Sequence, residues 1–392
     1  MDNITKSPMY LYLVVLTIAS TVGLQAWTTL FNNFAVEAAR LDGDGIGIIQ
    51  SVREIPGFLA LLAIFVIRFI PEHRLSAVSI LLLGLGIAAT GYFPSLTGLA
   101  LTTLLMSFGF HYYETTNMSL TLQYFDKHLS PWVFGKLRSI SAASSIVVGI
   151  LIFLMASAVD FSGMYLVIGG FIVAVALWGF TRQPTRTDMV PQHKQMVFRK
   201  RYWLFYFLTF MAGARRQIFI AFAVLLLVQR FDYSVQAVTF LFVVNNTINF
   251  FLSPAIGRAI IRFGERTVLT LEYASLIGVF LAYALIDSEW VVGGLYILDH
   301  IFFNFGMAIN TFFQKMGDPA DVAPTMAVGF TINHVAAVFL PAIGGYFWVI
   351  DYRIPFFAGA ALALVSLIAV QRIDTAVEPP SRKRRTHGSA GR

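Results

Sequence analysis

The chain has 392 residues, of which 57% are hydrophobic and only 12% are charged, and its net charge is +7. A soluble domain carries about 25% charged residues, so this composition excludes a water-soluble globular protein. The chain has no cysteine, which excludes disulfides and thiolate metal ligands. The sequence also lacks the GxxxxGK[ST], HExxH and GxSxG signatures, so neither direct use of ATP nor an enzymatic activity is expected.

Apolar stretches long enough to cross about 30 Å of hydrocarbon follow one another along the chain. They predict an all-α integral membrane protein of about twelve transmembrane helices. The predicted spans are 9–35, 46–70, 75–93, 97–126, 135–159, 162–182, 201–229, 235–262, 266–287, 290–316, 322–350 and 353–371. The first span is too long for a signal-peptide core and is expected to stay in the protein.

Lysine and arginine are concentrated in one of the two sets of loops. That set includes Lys136, Arg138, the stretch 182–201 and the basic tail, whereas the opposite loops hold only Arg40, Arg230 and Arg353. The positive-inside rule therefore predicts that both termini are cytoplasmic, in an inner or plasma membrane. Because topology explains the basic excess, nucleic-acid binding is not expected, and the tail is expected to lie near membrane lipid.

The predicted spans divide into two six-helix halves, 1–182 and 201–372, joined by a cytoplasmic linker, 183–200, and followed by a basic tail, 373–392. The halves resemble each other, since alignment of Tyr112–Asp126 with Phe305–Asp318 sets Asn117 opposite Asn310. Parallel repeats of this kind are typical of transporters, and they predict a substrate site at the interface near the middle of the membrane.

Two motifs carry a resemblance to a known family. The stretch GRAIIRFGER, Gly257–Arg266, resembles the loop signature GxLxDRxGRR of the major facilitator superfamily. It keeps Gly257, Arg262, Gly264 and Arg266, with Ile261 in the place of the acidic residue. The sequence PAIGG, 341–345, resembles a PxxGG element of the same superfamily. The resemblance implies a secondary transporter with alternating access, in which the four retained loop residues take part in gating.

Charged residues inside the second and seventh predicted spans are the first candidates for substrate binding. Arg53 and Glu54 lie in the second span, and Arg215 and Arg216 lie about 21 Å along the seventh. Guanidinium groups bind carboxylates or phosphates in a bidentate fork, so these arginines indicate an anionic substrate. The alternative is a structural charge network with acidic residues, namely Glu54, Glu114 and Asp299.

The fourth predicted span suggests coupling to protons. His111 and Glu114 are three residues apart, and we expect them on one face of the helix. A carboxyl group at membrane depth is a candidate proton carrier, with Asp299 and His334 as further candidates. The alternatives are a buried salt bridge from Glu114 to an arginine and a hydrogen-bonded helix contact by His334.

The remaining candidate substrate-binding residues carry amide or aromatic side chains: Asn117, Asn245, Asn249, Asn310, Trp27 and Tyr113. Helix packing is the alternative role for each of them. A soft metal path through histidines and methionines was also considered: His111, Met118, Met307, Met316 and His334. The sequence shows no tight cluster of them, and methionine is a common packing residue, so no metal or cofactor is expected.

These patterns predict a monomeric secondary transporter that moves a small organic anion together with protons. Two alternatives stay open on the sequence: an exporter of amphipathic drugs or metabolites, and a non-transporting receptor on the same fold. The aromatic content permits the exporter. The copy of the loop signature after the second span is weaker, with Pro71 near the glycine position, and this permits the receptor.

Overall fold

The structure is a computed structural model, and it describes residues 5–41, 43–186, 189–233 and 235–373. Fifteen α-helices make up the regular structure of this part of the chain, together with short 3-10 and π turns. They are α1 (Pro8–Glu37), α2 (Gly43–Phe58), α3 (Ala63–Ile67), α4 (Glu72–Thr90), α5 (Leu96–Tyr124), α6 (Ser130–Met155), α7 (Phe161–Thr181), α8 (Trp203–Ile218), α9 (Val224–Phe231), α10 (Val235–Phe263), α11 (Glu265–Leu285), α12 (Glu289–Phe303), α13 (Met307–Met316), α14 (Val322–Ile350) and α15 (Arg353–Val370).

The predicted all-α membrane class is confirmed. In the described residues, nine helical stretches are long and apolar enough to cross a membrane. The other three predicted spans correspond to α5, whose polar residues lower its mean hydropathy, to α8 and α9, which a π turn divides, and to α14, part of whose side chains lie outside the description. The basic tail from 374 onward and the side chain at 341 in the PAIGG motif also lie outside the described residues.

Three predicted spans are interrupted in their interior. A 3-10 turn, Leu59–Leu62, follows Pro56 between α2 and α3. A π turn, Phe219–Ala223, separates α8 from α9, and a 3-10 turn, Asn304–Gly306, separates α12 from α13. Proline removes a backbone donor and disturbs the helix, which accounts for the first break. The π turn follows directly on Arg215 and Arg216, in keeping with the frequent occurrence of such turns at functional sites.

The connector between α7 and α8 lies at the same end of the bundle as the first residues of α1, and we call this the linker end. Its residues converge on the buried carboxylate of Asp321, just before α14. His193 Nδ1 donates to Oδ1 at 2.7 Å, Arg199 Nε lies 2.7 Å from Oδ2, and the Tyr202 hydroxyl donates to Oδ2 at 2.6 Å. Burial opposes ionisation of Asp321, but these donors and the charge of Arg199 outweigh it and lower its pKa.

Helices α1–α7, the N-terminal group, and helices α8–α15, the C-terminal group, meet closely at the linker end. The Gln314 side chain of α13 donates to the carbonyls of Leu122 and Phe125 at 2.7 Å each, and Ser130 of α6 donates to Gln314. Farther from this end, the Leu61 amide donates to Thr331 of α14 at 2.9 Å. These contacts close the linker end of the molecule.

Candidate functional site: a charged cavity between the helix groups

A cavity of about 310 Å³ lies between the two groups of helices. Its wall carries polar side chains from both groups: Glu114, Asn117 and Arg138 from the first, and Arg215, Arg216, Glu272, Asp299, Asn304, Asn310 and Asn333 from the second. Polar groups at membrane depth are costly unless they pair or face a cavity, so each of these positions requires a partner or a ligand.

Arg215 is held by partners within the C-terminal group. Its side chain is buried, with 3% of the residue exposed, and Nη2 lies 3.5 Å from Glu272 Oε1 of α11. The guanidinium also stacks over the Tyr273 ring at 4.3 Å and donates to Ser366 of α15. Arg215 therefore ties α8 to α11 and α15 while one face of its side chain lines the cavity. Glu272 was not among the site residues predicted from the sequence, although a single carboxylate within an apolar span is itself a signal of function.

Arg216 is arranged differently from its neighbour. It also lines the cavity, but no carboxylate lies within salt-bridge distance of it in the described part of the chain, and its Nε, like that of Arg215, has no hydrogen-bond partner there. Adjacent residues on a helix point about 100° apart, which separates the surroundings of the two arginines. Arg216 therefore lines the cavity with a charge that no described carboxylate pairs with at salt-bridge distance, and its Nε is an unused donor.

Arg138 belongs to the cavity and not to a loop, and this corrects the sequence analysis. Its Nε donates to Asn304 Oδ1 at 3.0 Å, and its guanidinium lies 5.4 Å from the centre of the Phe303 ring. The error arose at the helix start, because α6 begins at Ser130 and not at the predicted 135. At 1.5 Å per residue, Arg138 therefore lies about 12 Å along the helix.

Glu114 and Asp299 are the cavity carboxylates that the sequence predicted. Glu114 extends from α5, close enough to Arg138 for the two charges to interact. Asp299 extends from α12 near Arg215 and Glu272, and its Oδ2 has no hydrogen-bond partner among the described groups. The predicted Asn117 and Asn310 line the same cavity, where Asn310 contacts the Met118 sulfur at 3.5 Å. The cavity thus places arginines, carboxylates and amides around one space.

Comparison with known proteins identifies the family. The family model described as Major Facilitator Superfamily matches residues 55–323. The chain belongs to the Major Facilitator Superfamily. No curated protein sequence matches it.

Several solved structures share the fold of this superfamily member at low sequence identity. The transporter FucP in its outward conformation has a TM-score of 0.76 and 13% identity, covering 93% of this chain and 98% of that chain. A bacterial homologue of the iron transporter ferroportin, in an outward-facing state, has a TM-score of 0.76 and 13% identity, covering 93% and 99%. The human organic anion transporter MFSD10 has a TM-score of 0.74 and 11% identity, covering 93% and 99%.

Some predicted residues of this superfamily member lie outside the cavity wall. Arg53 pairs with Glu54 at 2.7 Å and lies 5.3 Å from the centre of the Trp27 ring. The His111 ring faces His334 of α14, with ring centres 5.0 Å apart. His111 and Glu114, three residues apart on α5, have different partners, because Glu114 lies near Arg138 and the His111 ring faces α14.

The other predicted residues are buried in helix packing. The Tyr113 hydroxyl hydrogen-bonds with that of Thr17 at 2.7 Å. Asn249 accepts from Asn304 at 2.6 Å and so supports the residue that holds Arg138. Asn245 is buried, and its amide has no partner among the described groups.

The superfamily loop signature lies at the linker end. Gly257 is part of α10, where a β-carbon would overlap with the Pro131 carbonyl of α6, so a glycine permits this close crossing. Gly264 has a φ of 80°, a backbone conformation that favours glycine, and it lies directly before the first residue of α11. Arg262 stacks over Phe263, and Arg266 donates to the Gln371 side chain at 3.1 Å. Their role in gating stays a prediction.

Proposed function

We propose that this superfamily member is a secondary transporter that couples the movement of a small organic anion to protons by alternating access. The observation that carries the proposal is the set of three guanidinium groups around one cavity, those of Arg138, Arg215 and Arg216. Arg215 and Arg216 each retain a buried Nε without a partner among the described groups, but only Arg215 has a carboxylate, that of Glu272, within salt-bridge distance there. A substrate carboxylate or phosphate supplies the missing acceptor, and a bidentate fork suits it.

The rest of the wall suggests an anion with an apolar body. Phenyl rings surround the charged groups: Phe205, Phe219, Phe280, Phe303 and Phe330. An apolar pocket with a few convergent polar groups is the usual form of a small-molecule site. MFSD10, which has the same fold, is an organic anion transporter. This supports the proposal that a protein of this architecture can transport an organic anion.

Coupling to protons is assigned to Glu114 and Arg138. When an anion engages Arg138, Glu114 loses its opposing charge, and a proton replaces Arg138 as the partner of the carboxylate. When the anion leaves, the proton leaves with it. FucP is a fucose:proton symporter with this fold, which supports proton coupling as a mechanism that the architecture can serve.

The proposed orientation follows from the positive-inside rule, with the linker end and both termini in the cytoplasm. The contacts of Gln314 and Ser130 then close the cytoplasmic side. Motion of the two groups about the cavity would open this side and close the other.

Uptake into proteoliposomes under an imposed pH gradient tests the proposal with a panel of organic anions. We expect saturable uptake of at least one anion, and Arg216→Gln should raise KM by on the order of 10- to 100-fold, because a charge-assisted hydrogen bond is lost. Arg353→Gln, a change at an exposed arginine at the start of α15, is the matched control. Uptake unaffected by Arg216→Gln would overturn the anion site. Uptake of uncharged amphipathic compounds alone would favour the exporter instead.

The coupling step has its own test. Glu114→Gln should abolish uptake driven by the pH gradient while preserving exchange of labelled for unlabelled anion, because exchange requires no net proton movement. Glu289→Gln, at an exposed carboxylate, is the control. Full gradient-driven uptake by Glu114→Gln would exclude Glu114 as the proton carrier.

A further inference from the structure

A second cluster of polar side chains lies where α2, α5 and α14 meet. Glu54, His111 and His334 each offer one potential ligand atom, and these atoms lie within 4.8 Å of one another. None of the three residues lines the central cavity. Both histidines are buried, whereas Glu54 is partly exposed. The cluster is therefore separate from the central cavity, and a ligand can reach it from the side on which Glu54 is exposed.

The surroundings of the histidines leave ring nitrogens available. His334 Nδ1 lies 2.9 Å from the Phe330 carbonyl and donates its proton there, which leaves Nε2 with its lone pair. Such a hydrogen bond from the distal nitrogen is the usual support of a metal-binding histidine. The buried Nδ1 of His111 has no hydrogen-bond partner in the described part of the chain. An unpaired buried nitrogen is costly, and a ligand at this point removes the cost.

Packing holds the His334 ring in this position. Phe330 stacks on it with ring centres 4.4 Å apart at an angle of 19°. A β-carbon at Gly57 would lie 2.5 Å from His334 Cδ2 and 2.9 Å from Nε2, so the glycine of α2 makes room for the ring. The orientation of the ring is thus set by both groups of helices.

We infer that Glu54, His111 and His334 form a binding site for a divalent transition-metal ion such as Zn²⁺. Two imidazoles and one carboxylate are the donor set of many three-ligand zinc sites, which keep a further position for water. The same donors also suit other first-row divalent ions. This inference does not depend on the proposed transport of anions.

Arg53 competes with the metal ion for the Glu54 carboxylate. Its Nη2 lies 2.7 Å from Glu54 Oε1, so a metal ion that takes the carboxylate displaces the guanidinium. The Trp27 ring, whose centre is 5.3 Å from the guanidinium carbon, offers Arg53 a second partner through a cation–π contact. Arg216 also acts on both histidines electrostatically and weakens the binding of a cation.

Because the ligands come from both groups of helices, a bound ion links the two groups. Glu54 and His111 belong to the N-terminal group and His334 belongs to the C-terminal group. A bound ion joins α14 to α2 and α5 and so favours the arrangement in which the linker end is closed. Because binding to one state stabilises that state, the metal opposes any opening at the linker end.

Binding is tested on the purified full chain, carrying an affinity tag without histidine, by competition between the protein and a chromophoric chelator for Zn²⁺ or Co²⁺. We expect one ion per chain. His111→Ala and His334→Ala should each weaken binding by on the order of 10- to 100-fold or more, since loss of a supporting residue alone has an effect of this size. His300→Ala, which removes a half-buried histidine outside the cluster, should bind as the parent does. Equal affinity of the parent and both cluster variants would overturn the site.

The competition by Arg53 gives a test in the opposite direction. Arg53→Gln should tighten Zn²⁺ binding on the order of tenfold, because Glu54 loses its competing cation. A variant that merely unfolds the protein cannot show tighter binding, so this result separates a metal site from a structural one. Unchanged or weaker binding by folded Arg53→Gln would contradict the displacement of Arg53.

Because the chain has no cysteine, spin labels attach only at introduced cysteines, and the distance between the two helix groups can be measured with and without the metal ion. Spin labels on Lys127→Cys and Phe263→Cys place one label on each helix group at the linker end. Zn²⁺ should narrow the distance distribution and shift it to the shorter distances, and His334→Ala should remove this effect. Bound Zn²⁺ without any change in the distribution would overturn the proposal that the metal joins the two groups. None of these measurements requires transport, so they can fail or succeed independently of the anion proposal.

Discussion

Single charged residues within the bundle differ mainly in whether a neighbour neutralises them. Arg215 and Arg216 are adjacent in sequence, yet only Arg215 has a carboxylate within salt-bridge distance in the described structure. Burial of a charge is tolerated when it is paired and hydrogen-bonded, and it is unfavourable when one partner is removed. Glu272 therefore has a structural role, whereas Arg216 retains donor capacity for a ligand.

Substitution of Glu272 should expose this difference in thermal unfolding of the detergent-solubilised protein. Glu272→Gln leaves the charge of Arg215 buried without its counterpart, and we expect a loss of about 3 kcal/mol in the free energy of unfolding. The double substitution Arg215→Leu with Glu272→Leu should recover part of the stability, because both charges are gone. Glu289→Gln, at the surface, should leave the melting temperature unchanged. A melting temperature of Glu272→Gln equal to that of the parent would show that the pair is not structural.

At the scale of elements, hydropathy predicted the helices but not their interruptions. Windows of apolar residues report composition, whereas the π turn at Phe219–Ala223 is a change in backbone hydrogen bonding that composition does not encode. The same limit explains Arg138, because the start of α6 at Ser130 is marked by Pro131 in the first turn, a signal that a hydropathy window averages away. Arg215, Arg216 and Glu114 were predictable, since a charge inside an apolar span is visible in the sequence itself.

The convergence of distant residues was not predictable from one sequence. His111 and His334 lie in different helix groups, and only the packing of α5 against α14 brings their rings together. Of the methionines predicted with them, Met118 and Met307 line the central cavity. A pattern along one helix can predict which residues share a face, but it cannot predict which helix that face meets.

The Asp321 carboxylate holds the connector next to the start of α14, so we expect the attachment of the connector to depend on pH. The pKa of Asp321 is lowered in the folded protein, so its contribution to stability is present above the unfolded value of about 3.9 and is lost as the pH falls through the folded value. We expect hydrogen exchange of residues 190–202, corrected for intrinsic rates, to accelerate as the pH falls below about 4. Asp321→Asn should show fast exchange already at pH 7 and little further change. Equal protection of the parent and the variant at pH 7 would contradict the role of the carboxylate.

At the scale of the whole molecule, α6 and α10 cross closely at the contact between the two groups. A side chain at Gly257 meets the Pro131 carbonyl, so the closed linker end requires a glycine there. Any alternating motion has to separate these helices, and the balance between the two states is therefore sensitive to volume at this position.

Gly257→Leu should shift the protein to a state that is open at the linker end. The measurement is the reaction of Asn310→Cys, in the cavity wall, with a membrane-impermeant thiol reagent added from either side. We expect faster labelling from the linker side and slower labelling from the opposite side. Gly149→Leu is the matched control, because nothing lies within 4 Å of a β-carbon at Gly149. The same labelling pattern in both variants would show that the crossing does not control the state.

The attachment of the connector also sets how far the two groups can move apart. Gln192 donates to the Pro319 carbonyl at 2.8 Å, and the His193 amide donates to the Ala320 carbonyl at 2.8 Å, so the connector is anchored to the C-terminal group from Gln192 onward. Ten residues, 182–191, therefore join the end of α7 to the anchored part of the connector, and a chain of this length spans at most about 35 Å. This short tether acts as a mechanical stop, and the width to which the linker end can open is limited by its length.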